Sequence, residues 1–144
     1  FFDCIHNPDE MILHAPVAGA KQMLKQWHDE GHTISILTGR PLETREVSLK
    51  WLALHEFTHD SFSIVNKYDR ASSQGEMSIS LETLSTQDFD LAVEDSGHMA
   101  HFLSEQMGVR VALLDRPWNR AMSFNHNVAR CADWMEIKKR FERL

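Results

Sequence analysis

Two cysteines among 144 residues are too few, and Cys4 and Cys131 too far apart, to build a disulfide framework. Such cysteine usage fits a reducing compartment, and the cytoplasm is the expected location. Basic residues are outnumbered, 15 against 21 acidic, and the nine histidines are scattered. With a net charge of -6 and no basic stripe, a nucleic acid polymer is not an expected partner. No apolar run approaches the roughly 20 residues that span a bilayer, and no signal-peptide pattern is visible, so no membrane is expected either. Six glycines and four prolines leave no linker strong enough to split the chain. Internal repeats, low-complexity tracts and heptads are also missing. What remains, 42% hydrophobic and 25% charged, is the composition of one soluble domain over residues 1–144, long enough to bury a core.

Periodicity divides the chain into alternating elements. Residues 1–15 are irregular. Ala15-Pro16 opens a helix over Val17–Glu30, with Val17, Ala20, Met23, Leu24 and Trp27 on one face and Gly31 as its stop. A β-branched strand follows over Thr33–Leu37, then a helix over Leu42–His55 with Val47, Leu49, Trp51, Leu52 and Leu54 as its apolar surface. A short strand is expected over Ser61–Val65. Residues 66–87 have the weakest pattern, with a loop at Ser72–Gly75 and a helical turn at Ser80–Leu84. Strands over Phe89–Val93 and Val109–Leu114 flank a helix over Gly97–Met107. A long loop over Asp115–Asn127 and a terminal helix over Val128–Arg143 complete the chain. Strands alternating with helices predict an α/β fold around a parallel sheet, and right-handed crossovers put the strand carboxyl ends on one rim.

Reactive residues cluster at those ends. Ile34-Ser35-Ile36-Leu37-Thr38-Gly39-Arg40 is an apolar run that stops in a hydroxyl, a glycine and a guanidinium. At a strand-to-helix turn these suit an anion: backbone N–H groups are free there, Gly39 permits close approach, and Arg40 adds charge-assisted bonds. The bland reading is a capped turn. Lys67, just past the next strand, is either a point charge for phosphate or a solvated surface lysine. Leu91-Ala92-Val93-Glu94-Asp95-Ser96 brings two acids together at the tip of an apolar strand, which is costly unless a cation neutralises them. Mg²⁺, a hard ion that takes carboxylate, water and phosphate oxygens, is the natural choice; the bland reading is acidic capping of the next helix by Asp95 or Ser96. His98 and His101 are spaced as a metal pair but have no third ligand nearby in sequence, so packing or solvated roles are favoured. Cys4 and Cys131 have no catalytic context. Trp118, between Pro117 and Asn119, either walls a pocket or anchors its loop.

The order Thr38, Lys67, Glu94-Asp95 resembles the second, third and fourth motifs of the haloacid dehalogenase superfamily. Phe1-Phe2 with Ala15–Ala20, the run Leu113-Leu114-Asp115-Arg116-Pro117-Trp118-Asn119-Arg120, and Ala132-Asp133-Trp134 are similar to 5'(3')-deoxyribonucleotidases and their uncharacterised bacterial relatives. The resemblance implies a three-layer Rossmann-like parallel sheet with helices on both faces, and residues 1–15 as the tail end of a cap. It implies a Mg²⁺-dependent phosphatase acting on a small phosphorylated substrate, a (deoxy)nucleoside monophosphate. Thr38 and Lys67 would be catalytic, Thr38, Gly39, Arg40 and Lys67 would hold substrate, and Glu94 and Asp95 would hold the metal. A homodimer is left open.

The superfamily's first motif, an Asp-x-Asp pair on the opening strand, has no match here: Asp3-Cys4-Ile5 lacks the second acid and the preceding strand. The resemblance therefore implies that the nucleophilic aspartate, the first strand and most of the cap lie upstream of Phe1. The competing reading is a non-catalytic phosphate- or metal-binding module, or an interaction protein, without a nucleophile. A phospho-accepting receiver domain uses similar groups, but there the acids precede the Thr and Lys in sequence.

Overall fold

A computed structural model describes residues 7–66 and 78–142. The chain divides into two compact units, Phe1–Leu84 and Ser85–Leu144. Each is an α/β unit built on a three-stranded parallel sheet.

In the first unit, helix α1 (Pro8–Met11) is capped by the Asn7 side chain, which accepts from the Asp9 amide. Helix α2 (Ala20–Asp29) begins later than periodicity suggests. Gly19 sits at φ 86, a left-handed conformation that a side chain rarely adopts, and it ends the Val17–Gly19 turn before the helix can start. Val17 is accordingly exposed, while Ala20, Met23 and Trp27 are buried as expected. Strand β1 (Ser35–Thr38) leads through Gly39, Arg40 and Pro41 to a 3₁₀ turn, Leu42–Thr44, and then to α3 (Arg45–Leu54). The core face of α3 is narrower than its apolar content: Ser48 and Leu52 are buried, and Leu54 is exposed. Strand β2 (Ser61–Val65) pairs with β1 from Ser35↔Ser61 to Thr38↔Ile64. The two-residue strand β3 (Ser78–Ile79), too short to show a pattern in sequence, pairs on the other side of β2, and α4 (Leu81–Leu84) follows.

In the second unit, β4 (Leu91–Glu94), β5 (Arg110–Leu114) and β6 (Val128–Cys131) lie side by side in that order. Central β5 is wholly enclosed from Val111 to Leu113, as a parallel strand covered on both faces should be. Helix α5 (Gly97–His101) runs on as a π-helical turn, Phe102–Gln106. The expected terminal helix over Val128–Arg143 is wrong in its first turn. Val128-Ala129-Arg130-Cys131 pairs with Val111–Leu114, and the helix, α6 (Trp134–Arg140), starts only after Asp133, whose carboxylate accepts from the Glu136 amide. The backbone of a short strand with one charged residue was masked by the amphipathic run behind it.

Among the described residues, β1 pairs only with β2 and β4 only with β5. Both outer strands are apolar yet only half-buried at Ile36, Leu37, Leu91, Ala92 and Val93. No helix among the described residues is long and apolar enough to cross a membrane.

The start of β1 is fixed by Asp60. Its Oδ2 accepts from the Ile34 amide at 2.6 Å, while Oδ1 faces His28 Nε2 at 3.3 Å. The Ile34 N–H, with His28 as a smaller contributor, holds the Asp60 carboxyl below the usual carboxylate range. A carboxyl depressed in the folded state stabilises the fold above its unfolded value, about 4, and loses that contribution as pH falls through its folded value. Asp60→Ala should therefore lower the melting temperature at pH 7, and the gap to wild type should close below about pH 4. Melting curves from pH 7 to 2.5 check this, and a gap independent of pH would contradict it.

Candidate functional site

Thr38 is the last residue of β1, at the strand's carboxyl end. Its hydroxyl accepts from the Arg40 amide at 3.3 Å, which closes the turn over Gly39. Thr44, buried one turn further on, donates its hydroxyl to the Pro41 carbonyl at 2.7 Å and holds the turn against the helix. Arg40 is half-buried, and burial pulls its guanidinium pKa downward. It has no carboxylate partner among the described residues. A partly desolvated cation that follows a hydroxyl and a glycine in the same turn can hold an anion. Strand β2 runs parallel to β1, so its carboxyl end, at Val65, lies beside Thr38 on the same rim of that sheet. Lys67, two residues past that end, lies outside the described residues.

The second unit presents the acids. Glu94 ends β4, and its Oε2 turns back to accept from the amides of Asp95 (3.1 Å) and Ser96 (3.0 Å). Ser96, not Asp95, caps α5: its hydroxyl accepts from the Met99 amide at 3.3 Å. Asp95 is thereby left exposed, with a carboxylate that makes no hydrogen bond or ion pair among the described residues. Its backbone carbonyl is the opposite case. It accepts from Trp118 Nε1 at 2.9 Å and from Asn119 Nδ2 at 2.8 Å.

Among the described residues the geometry favours none of the alternative metal ligands or nucleophiles. His101 is engaged by Glu105 at 3.1 Å and packed on Phe124, 4.6 Å between ring centres. His98 stands exposed on α5, and no group of three metal-capable side chains exists among the described residues. Asp115 is bound on one oxygen by Arg120 (2.8 and 3.1 Å) and on the other by Arg130 (3.1 Å), and the Arg120 hydrogen bond leads in holding its carboxyl low. Cys131 is buried, and burial pushes its thiol upward, away from the reactive thiolate. Cys4 lies outside the described residues.

A hard divalent cation takes about six oxygens and keeps several as water. The carboxylate of Asp95, next in sequence to Glu94, can supply part of such a shell, and further oxygens must come from elsewhere. Trp118 resolves as a loop anchor, since its indole N–H is bonded to the acid turn, although the ring itself remains 64% exposed. Sequence reasoning missed Asn119 and Arg130. Asn119 is fully buried, and Arg130 donates to its side chain at 2.8 Å and to its carbonyl at 2.7 Å.

No family model matches the chain, and no solved structure matches it. Among curated proteins it is 27% identical over 120 residues, 83% of its length, to a protein of Halalkalibacterium halodurans named "Putative nucleotidase BH1399". The match takes in 55% of that relative, so the chain spans about half the length of the curated protein it resembles.

Gly97, the first residue of α5, directly follows the acid turn. A methyl group there would run into Met122 Sδ, with Met122 Cε also at 2.9 Å. Because the colliding atoms are the flexible end of a half-buried side chain, Gly97→Ala should cost no more than about 1 kcal/mol. Adding Met122→Ala should recover part of the loss. Denaturant melts of the single and double variants check this, and strictly additive losses would contradict it.

Proposed function

We propose that this chain is the phosphate- and metal-handling part of a nucleotidase, a Mg²⁺-dependent phosphomonoesterase of the haloacid dehalogenase type acting on nucleoside monophosphates. The observation that carries the reading is a pair of charges at strand ends, the half-buried guanidinium of Arg40 and the exposed carboxylate of Asp95, each without a partner among the described residues. Structural residues elsewhere in these turns, Ser96, Thr44 and Asp115, are all consumed by hydrogen bonds, whereas these two are not. The likeness to a protein named as a nucleotidase supports the substrate class.

In this reading Thr38, the Gly39 turn, Arg40 and Lys67 bind and orient the phosphoryl group, and their positive and hydrogen-bonding groups offset charge developing on its oxygens. Glu94 and Asp95 hold Mg²⁺, which supplies further neutralisation of that charge. No described residue matches the strand-borne Asp-x-Asp pair that would supply the nucleophile. The nucleophile is assigned to an aspartate preceding Phe1, in keeping with a relative of which the match takes in only 55%. That aspartate would attack phosphorus in line and expel the nucleoside hydroxyl, which takes up a proton. Water would then cleave the aspartyl-phosphate to inorganic phosphate and restore the carboxylate. The half-buried apolar edges of β1 and β4 suit a chain that pairs with a further strand.

A non-catalytic binding module is the second reading, favoured by the lack of a third metal-capable side chain among the described residues. Assays on dUMP, dTMP and an aryl phosphate separate the two. The chain preceded by its upstream residues should hydrolyse them with Mg²⁺, and the 144 residues alone should be slower by at least three orders of magnitude, roughly 4 kcal/mol of barrier. Asp95→Asn and Arg40→Ala in the longer protein should each cost about 100-fold or more in kcat/KM. Comparable turnover by the short chain would overturn the assignment of the nucleophile. An inactive longer protein would establish the binding module.

A further inference from the structure

Taking Asp95 as a cation-binding carboxylate, we propose that Trp118 and Asn119 are positioning residues that aim it through its own backbone carbonyl. Asp95 precedes the helix cap, so the helix makes no use of that carbonyl; the first helical bond runs from the Ala100 amide to Ser96. Both of its lone pairs are instead taken by consecutive residues of the β5–β6 loop, Trp118 Nε1 at 2.9 Å and Asn119 Nδ2 at 2.8 Å. The amide on the other side of Asp95 is tied to Glu94 Oε2. With the backbone held at both ends, the carboxylate is the one group of this residue left to meet a ligand.

The clamp is itself braced. Asn119 Nδ2 also donates to the Leu114 carbonyl at 2.9 Å, and its Oδ1 accepts from the Arg116 amide (3.2 Å) and from Arg130 (2.8 Å). Every capacity of a fully buried carboxamide is thus used. Arg130 reaches on to Asp115 and to the Met122 carbonyl at 2.8 Å, which ties the clamp to β6. Trp118 is the informative member. Its ring is 64% exposed, so packing does not explain a tryptophan there, while its single polar atom is spent on the acid turn. Metal–ligand distances tolerate only about 0.2 Å, and loss of groups that orient a ligand commonly costs 10–100-fold in metal affinity.

Trp118→Phe keeps an aromatic ring and deletes the N–H, so it tests the clamp without the folding risk of Asn119→Ala, which would take a bond from each of two carbonyls, the Arg116 amide and Arg130. Mn²⁺ and Mg²⁺ titrations by calorimetry on the chain preceded by its upstream residues, and on its Trp118→Phe and Asp95→Asn variants, with melting temperatures alongside, decide the matter. The expected result is an affinity about tenfold weaker in Trp118→Phe, with a melting temperature within about 3 °C of wild type, and no binding in Asp95→Asn. Wild-type affinity in Trp118→Phe, with binding lost in Asp95→Asn, would overturn the clamp and leave the metal site standing. A loss of affinity matched by a large fall in melting temperature would make Trp118 merely structural and also overturn it. Absence of binding in wild type, or equal binding in Asp95→Asn, would remove the metal reading and the clamp with it.

Discussion

One buried carboxamide organises the second unit. Asn119 bonds to the carbonyl after the end of β4, to the carbonyl at the end of β5, and to the guanidinium of Arg130 on β6. The carboxyl ends of three parallel strands, where the backbone ladder stops and polar groups would otherwise need water, are joined through one side chain. A buried polar network is worth having only when fully satisfied, and this one is. The acid turn inherits its geometry from that network. Asp95 stays exposed and uncommitted because other groups do the structural work around it: Ser96 caps the helix, Glu94 closes the turn, and Trp118 and Asn119 hold the carbonyl.

The first unit solves the same problem differently. At the end of β1 the turn is closed by the Thr38 hydroxyl and stapled by Thr44, which leaves Arg40 half-buried and unpaired. Each unit therefore spends small polar side chains on structure and leaves a charged residue beside the turn without a partner among the described residues. In the proposed phosphomonoesterase the first of these charges serves the phosphoryl group and the second the divalent metal.

Much of this was readable in the residues. The runs ending in Thr38 and in Glu94-Asp95 showed where strands stop, because an apolar stretch that breaks into polar residues marks a buried parallel strand. The fold class followed from alternation. Three things were hidden. Strand β6 carries Arg130 and precedes an amphipathic helix, so its pattern merged with the helix. Strand β3 is two residues long and has no pattern at all. The role of Asn119 could not be read, because its partners are backbone carbonyls, which every residue has and no motif marks. Lys67 lies outside the described residues, so its part rests on sequence order alone.

The central proposal is that the Glu94–Asp95 turn, and no other cluster among the described residues, holds a divalent cation. Paramagnetic broadening by Mn²⁺ in an amide-resolved NMR spectrum of the 144-residue chain tests it most directly, because it locates the ion without any reaction. Selective loss of the Glu94, Asp95 and Ser96 amides and of the Trp118 indole N–H, reversed by excess Mg²⁺, is the predicted result. Broadening centred on His98 and His101, or spread evenly over the chain, would contradict it.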